Sequence, residues 1–359
     1  MKAAVLWERG KPLGIEDVQI SKPTRREVLI RTSFAGLCHS DLHAVNGDVR
    51  PATPCVAGHE SAGVVEQVGE DVTHVKPGDH VITCLSVFCG QCRHCLSGFP
   101  YRCTSKITER APAEPPRLSL RDKPVFQFAR LASFAEQMLV HENAVVKIRK
   151  DMPLDRAALI GCGVTTGVGA VLRTADVEAG SIVAVIGCGG IGLSAINGAV
   201  LAGAARIVAV DRLPEKLELA KSFGATDVVD ASAGDPVKQV KELTAGGVDY
   251  SFEAIGLTTT VEQAFAMLRA GGTATVIGMT PVGTKVSVYG LDLLADKKLQ
   301  GSNMGSTRFR IDMPRLVDFY LSGRLQLDAL ISSHIRLDDV NEAMDRLRTG
   351  AVVRQMIGF

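Results

Sequence analysis

Ser181-Ile182-Val183-Ala184-Val185-Ile186-Gly187-Cys188-Gly189-Gly190-Ile191-Gly192 decides how the second half of this chain folds. Its first six residues are mostly β-branched and carry no charge, the pattern of a strand buried on both faces. Glycines follow at once in G-x-G-x-x-G spacing, and the small-residue run 193–202 reads as the helix they open. In that setting Gly187 permits the tight turn, Gly189 lets the backbone approach a pyrophosphate, and Gly192 lets helix and strand pack closely. Gly190 and Ile191 lie at the helix start, whose free N–H groups suit phosphate oxygens. Nineteen residues after Gly192 stands Asp211, at the end of the next β-branched run, 206–211. A carboxylate there accepts hydrogen bonds from a ribose 2′-OH and repels a 2′-phosphate, which favours NAD over NADP. Arg212 beside it is the counter-signal, and Asp211 could instead cap the helix that Pro214 begins.

Outward from that stretch the same texture continues. Runs at 227–230, 249–254, 273–277 and 298–301 read as strands, with helices at 214–223 and 260–269. Pro214 at a helix start and Gly224 after its end fit the usual asymmetry. The alternation predicts an α/β doubly wound parallel sheet over 164–302. Residues 1–163 read differently, with short strands at 27–31, 62–68 and 80–83 punctuated by turns such as Pro77-Gly78-Asp79. That half predicts a mainly antiparallel β domain. The tail, 303–359, with helices at 313–322 and 337–348 and a strand at 353–357, is assigned back to the first domain. The stretch 104–130, with prolines at 112, 115, 116 and 124, reads as a long irregular surface loop.

Composition excludes several classes. The chain has 359 residues, 46% of them hydrophobic and 22% charged, enough to bury two cores. Forty basic against 39 acidic residues leave a net charge of +1, so nothing argues for a nucleic-acid or anionic-membrane partner. Charge at Glu8 and Arg9 interrupts any leader-like start, and the apolar stretch nearest to a span, 181–201, is broken by glycines. The default location is the cytoplasm. Nine cysteines, an odd number with no export signal, disfavour a disulfide framework.

Four of those cysteines, Cys89, Cys92, Cys95 and Cys103, fall within one short segment of a lobe at about 84–104. Four thiolates in short loops wrap a tetrahedral zinc with no position left open, which predicts a structural site. A second metal site would have to be assembled from distant segments. Cys38, His59 and Cys162 would offer two sulfurs and an imidazole, leaving a fourth position for water or substrate. Spacing alone is a weak signal for this grouping: a lone buried cysteine is more often packing than ligand, and His59 could be an ordinary turn histidine.

Taken together, Gly36-Leu37-Cys38-His39-Ser40-Asp41, Gly58-His59-Glu60 with Gly63 and Gly69, the four-cysteine lobe, Gly161-Cys162-Gly163 and the glycine loop followed by Asp211 resemble the zinc-dependent alcohol dehydrogenases of the medium-chain dehydrogenase/reductase superfamily. The resemblance covers nearly the whole chain. It implies a GroES-like catalytic domain beside a Rossmann domain, two zinc ions per chain, and hydride transfer between an alcohol and NAD. Cys38, His59 and Cys162 would hold the catalytic zinc, with Asp41 bonded to a ligand, most naturally the His59 ring, and Glu60 behind the metal. Ser40 would take the proton of the alcohol and His43 would pass it to solvent. His39, Thr166, Lys216, Met279 and Arg354 would join Arg212, Asp211 and the glycine loop at the cofactor, His39 and Arg354 at its phosphates.

Leu85 falls at a pocket position where relatives commonly carry an aromatic residue, which would admit bulkier alcohols, aryl or allylic ones among them. A thiol-dependent formaldehyde dehydrogenase is the nearest rival; it needs a basic cluster for the thiol's carboxylates, which the sequence does not locate. A non-catalytic NAD-binding protein on the same fold is the rival from another class. The resemblance also implies a homodimer, or else a homotetramer, paired through an edge strand near 285–289.

Overall fold

The computed structural model describes residues 1–111 and 113–359; Pro112, within the stretch read as a loop, lies outside them. The chain divides into two units. One comprises Met1–Cys162, Arg308–Gly323 and Leu327–Phe359; the other comprises Gly163–Thr307 and Arg324–Gln326. The chain thus re-enters the first unit at Arg308, five residues after the boundary read from the sequence.

In the second unit six parallel strands run in the spatial order Asp227–Asp230, Arg206–Asp211, Ile182–Ile186, Val248–Glu253, Leu268–Val276 and Lys298–Gly301. The order reverses between the strands led by Ile182 and Val248, which is where doubly wound sheets hold dinucleotides. Val185 faces Ala209 on one side and Phe252 on the other. Val183, Ala184, Val185 and Ile186 are all buried, as an uninterrupted apolar run between covering helices must be. Those helices are Gly190–Ala202, Pro214–Ser222, Pro236–Leu243 and Thr258–Ala266. The third was not read from the sequence, although Asp235 caps it by accepting the Val237 N–H at 2.9 Å.

The first unit holds two mainly antiparallel sheets. The larger centres on the long strand Glu27–Gly36, which pairs with Ser61–Val68, Gln137–His141 and Arg354–Gly358. The last of these brings the C-terminus beside the strand that leads to Cys38. The smaller sheet contains Lys2–Leu6, Cys55–Val56 and a hairpin, Leu118–Leu120 with Lys123–Gln127.

Three sequence expectations are corrected here. The stretch 104–130 is not irregular throughout: its hairpin buries Leu118, Leu120 and Val125 and turns at Arg121 and Asp122, both at positive φ. No strand forms at 285–289; Lys298–Gly301 takes the sheet edge, and the Ser287 N–H instead donates to Glu262 Oε1 at 2.9 Å. The segment nearest in length and hydropathy to a membrane span is the helical run Leu154–Ala175 rather than 181–201; 83% of its most apolar window is buried inside the protein, as in a core helix.

Candidate active site

Three distant segments of the first unit bring one donor group each to the same point. The strand Glu27–Gly36 delivers Cys38, which sits in extended conformation (φ −118°, ψ 153°) and caps the helix His39–Asn46. Asp41, at the third helical position, accepts the Cys38 N–H at 3.1 Å through Oδ2. Its other oxygen, Oδ1, lies 2.9 Å from His59 Nδ1. Gly58 takes φ +92°, where a side chain would strain the backbone and overlap Phe134, and this turn aims His59 inward. Cys162 rides on the π-helical turn Ile160–Val164. Insertions of this kind inside helices recur at functional sites because they re-aim side chains. Gly161 allows that turn to lie against the Thr83 carbonyl, 2.9 Å from where its Cβ would be.

The donor atoms of Cys38, His59 and Cys162 all fall within 4.8 Å of one another, and all three residues are buried. An acceptor-only carboxylate at Nδ1 holds the Nδ1 proton of His59 and leaves Nε2 as the nitrogen that would donate to a metal. Nε2 is buried and has no hydrogen-bond partner among the described residues. A buried imidazole nitrogen left bare is costly unless a ligand occupies it, and two thiols beside it supply the rest of a Cys₂His metal site. The electrostatics agree. A hydrogen bond with Cys162, aided by Arg354 and His59 against the effect of burial, holds the Cys38 thiol well below its ordinary range. The same bond, with burial, drives Cys162 up, so the metal-free pair shares one proton that a divalent cation would displace. Burial opposes charge on His59, but Asp41 and Cys38 outweigh it and raise the imidazole.

Around this cluster the remaining sequence-read residues take distinct places. Ser40 Oγ lies 3.8 Å from Cys38 Sγ. His43 lies one turn along the same helix, half-buried, with Nδ1 2.9 Å from Asp48 Oδ2. Glu60 is fully buried and accepts from Arg354 Nε at 3.1 Å. Arg354 also reaches Cys38 Sγ at 3.5 Å and the Val353 carbonyl at 3.2 Å, so its guanidinium is directed at the cluster. His39 is exposed at the helix start. Leu85 packs, partly buried, against the core that contains Val87, Leu131 and Met138.

The sequence missed a cavity of about 520 Å³ in the same unit. Arg50, Arg110, Arg117 and Arg130 line it, with Phe126 and Phe128. Phe128 connects it to the cluster, since its ring meets the His59 ring edge-on at 5.7 Å between centroids. Glu27 holds Arg110 and Arg117; Arg130 donates to the Val87 carbonyl at 3.3 Å and lies 3.6 Å from Glu109, which lines the cavity as well, while Arg50 stands apart from Glu27. No local pattern announces four arginines drawn from three separate segments.

The four-cysteine lobe forms a second donor set. Sulfur separations are 3.5 Å for Cys92–Cys95, and 3.9 Å for both Cys89–Cys95 and Cys92–Cys103. A tetrahedron with arms of about 2.3 Å has edges of about 3.8 Å, so these thiols are spaced for zinc and too far apart for disulfides. Backbone N–H groups at Gln91 and Cys92 pull the Cys89 thiol down to about 6.

In the second unit the glycine loop behaves as its spacing demands. Gly187 takes φ +93°, and a Cβ on Gly192 would overlap the Gly187 carbonyl, while one on Gly189 would meet nothing within 4 Å. Gly190 and Ile191 form the first turn of Gly190–Ala202. Asp211 Oδ2 accepts the Cys188 N–H at 2.7 Å, and Oδ1 accepts from Arg212 and Leu213, tying the strand end to the loop. Lys216 is half-buried, Arg212 and Met279 are exposed, and Thr166 is buried with Oγ1 3.6 Å from Met304 Sδ.

Comparison with known proteins gives the same assignment. Residues 24–150 match the alcohol dehydrogenase GroES-like domain, and residues 190–322 match the zinc-binding dehydrogenase domain. The chain is 40% identical to alcohol dehydrogenase class-3 of Oryza sativa subsp. japonica, over 98% of this chain and 95% of that one. It is 39% identical to a Schizosaccharomyces pombe protein named "Probable S-(hydroxymethyl)glutathione dehydrogenase 1", over 99% and 96%. The benzyl alcohol dehydrogenase of Acinetobacter calcoaceticus superposes with a TM-score of 0.94 at 33% identity, covering 100% of this chain and 99% of that one. With two zinc-binding clusters, a dinucleotide-binding sheet and full-length relatives in agreement, the chain belongs to the zinc-binding alcohol dehydrogenases of the medium-chain dehydrogenase/reductase superfamily.

Proposed function

We propose that this enzyme is an NAD-dependent dehydrogenase of class-3 type, whose preferred substrate is the hydroxymethyl adduct of formaldehyde with a carboxylate-bearing thiol. The observation that carries the substrate is the arginine-lined cavity: Arg50 and Arg130 face it, and Phe128 links it to His59. A thiol carrying carboxylates would place them on those guanidinium groups while its hydroxymethyl end reaches the Cys38–His59–Cys162 cluster. The names of the rice and fission-yeast relatives support the same class.

Zinc held by Cys38, His59 and Cys162 would supply Lewis acidity toward the substrate oxygen. The chain's own residues do the rest. Asp41 fixes the His59 ring so that Nε2 faces inward. Ser40 Oγ takes the hydroxyl proton and His43 passes it to solvent. The Gly187–Gly192 loop holds the pyrophosphate, and Asp211 selects NAD by receiving its ribose hydroxyls. Bound NAD would supply the hydride acceptor for oxidation of the carbinol carbon, which would convert the adduct to a thioester.

A second substrate class, benzyl-type alcohols, is favoured by the Acinetobacter relative and by Leu85 in place of an aromatic residue. NAD reduction measured with formaldehyde plus glutathione, formaldehyde alone, benzyl alcohol and ethanol, with zinc content on the same sample, separates the cases. Thiol-dependent turnover supports the adduct. Benzyl alcohol as the best substrate, with no effect of thiol, transfers the assignment to aryl alcohols. No turnover from a chain that holds two zincs and binds NADH removes the enzymatic reading. The enzyme would work in the cytoplasm as a homodimer, its contact face the exposed Val282, Val286, Tyr289, Leu291 and Leu294; sedimentation velocity tests the dimer.

A further inference from the structure

We propose that Asp48 is a positioning residue for proton transfer, acting through His43; the inference rests on Ser40 and His43 serving as the relay. The helix His39–Asn46 stops at Gly47, which takes φ +89°, a conformation that side chains other than glycine rarely adopt. Backbone N–H groups of Gly47 and Val49 then donate to the His43 carbonyl at 3.1 and 3.2 Å and turn the chain back on itself. This fold-back is what brings Asp48 Oδ2 to 2.9 Å from His43 Nδ1.

A carboxylate only accepts, so the short contact requires the ring proton on Nδ1. The lone pair is therefore on Nε2, as a group that must receive a proton needs it to be. Without Asp48 the ring would divide its time between two tautomers and several rotamers, and only part of that population could accept. The transfer is a proton movement alone. The substrate O–H breaks as Ser40 Oγ receives that proton, Ser40 Oγ–H breaks as Nε2 receives the second, and Nε2 releases one proton to solvent. Asp48 neither gains nor loses a proton. His43 is 31% exposed and Asp48 50%, so water competes for both. The advantage is accordingly severalfold rather than several orders of magnitude.

The single-turnover rate of NADH formation should be measured for Asp48→Ala, Asp48→Glu, His43→Gln and the Asp48→Ala/His43→Gln pair. Benzyl alcohol and the glutathione adduct of formaldehyde are the substrates, and NADH affinity is followed by fluorescence. Asp48→Ala should lower the rate about three- to tenfold, leaving KM and NADH affinity as in wild type. Asp48→Glu should recover part of the loss, and free imidazole should restore rate to His43→Gln. In the His43→Gln background, Asp48→Ala should change nothing further. Equal losses from Asp48→Ala in both backgrounds, or no loss in either, would overturn the role of Asp48 while leaving the relay standing. A wild-type rate for His43→Gln would overturn the relay and this inference with it.

Discussion

Glu27 ties the cavity wall to the central strand of the first unit, and its removal tests how that wall is held. Its carboxylate is buried and accepts from Arg110 at 3.0 and 2.6 Å, from Arg117 at 2.7 Å, and from Thr24 N–H and Oγ at 3.0 and 3.1 Å. Burial alone would raise its pKa, but the two arginines outweigh it and bring the carboxyl down from 4.5 to about 2. A shift of that size corresponds to about 3 kcal/mol at 1.36 kcal/mol per unit. Thr24 keeps its bonds when the hairpin opens, so the arginine share is about 2 kcal/mol, or about thirtyfold in an opening equilibrium. The folded pKa is the depressed one. The stabilisation is therefore complete above the unfolded value near 4.5 and disappears as pH falls through about 2. Glu27→Gln removes it at every pH. Native-state hydrogen exchange of the Leu118–Leu120 and Lys123–Gln127 amides, compared between variant and wild type at pH 7, should quicken about thirtyfold. Exchange in the Ile182–Ile186 strand should not change. Hairpin exchange within twofold of wild type would refute the reasoning, and so would equal acceleration in both units.

Further outcomes can be checked on the same protein. Gly189→Ala has room for its methyl, so the variant should fold and melt as wild type, yet NADH affinity by fluorescence titration should fall at least tenfold if that space takes the pyrophosphate as proposed. Gly192→Ala, whose methyl would overlap the Gly187 carbonyl, should lose thermal stability as well as NADH binding. Cys103→Ser should lower zinc content from two to one per chain and expose the 84–104 lobe to limited proteolysis, with NADH binding intact. Asp41→Asn should speed zinc loss to a chelator about 10–100-fold at the catalytic cluster, read by metal analysis, and leave the structural zinc in place.

What the sequence disclosed follows from how locally each feature is encoded. The dinucleotide loop and the cysteine lobe are written within single short segments, so spacing carried their chemistry. The Cys38–His59–Cys162 cluster spans more than a hundred residues, and only resemblance to a family brought its members together before the structure did. The hairpin at 118–127 escaped because its turn residues, Arg121 and Asp122, take positive φ without the glycine that usually marks such a turn. Pro124, facing Ser119 within the hairpin, also argued against a strand. The pattern at 285–289 misled in the opposite direction. Alternation of Val286 and Val288 fits a strand, but a strand also needs a neighbour, and Lys298–Gly301 occupies that place beside Leu268–Val276. The cavity arginines were out of reach because an arginine in a loop is ordinarily solvated, and only tertiary convergence makes a group of them significant.

Asp41 shows why the metal cluster and the helix carrying the proposed relay are one construction. One of its oxygens closes the start of the helix His39–Asn46 at the Cys38 N–H, and the other sets the His59 ring. The residue that launches Ser40 and His43 on their helix therefore also fixes which nitrogen His59 turns inward. Burial pushes the Asp41 carboxyl up, while His59 and the Cys38 N–H pull it down, so the two partners it accepts from are what offset the cost of burying it. A protonated Asp41 could satisfy only one of the two partners as an acceptor without rearrangement. A cation beside His59 Nε2 favours the ionised carboxylate and with it both hydrogen bonds. His59 and the start of the helix His39–Asn46 are thereby joined through a single side chain.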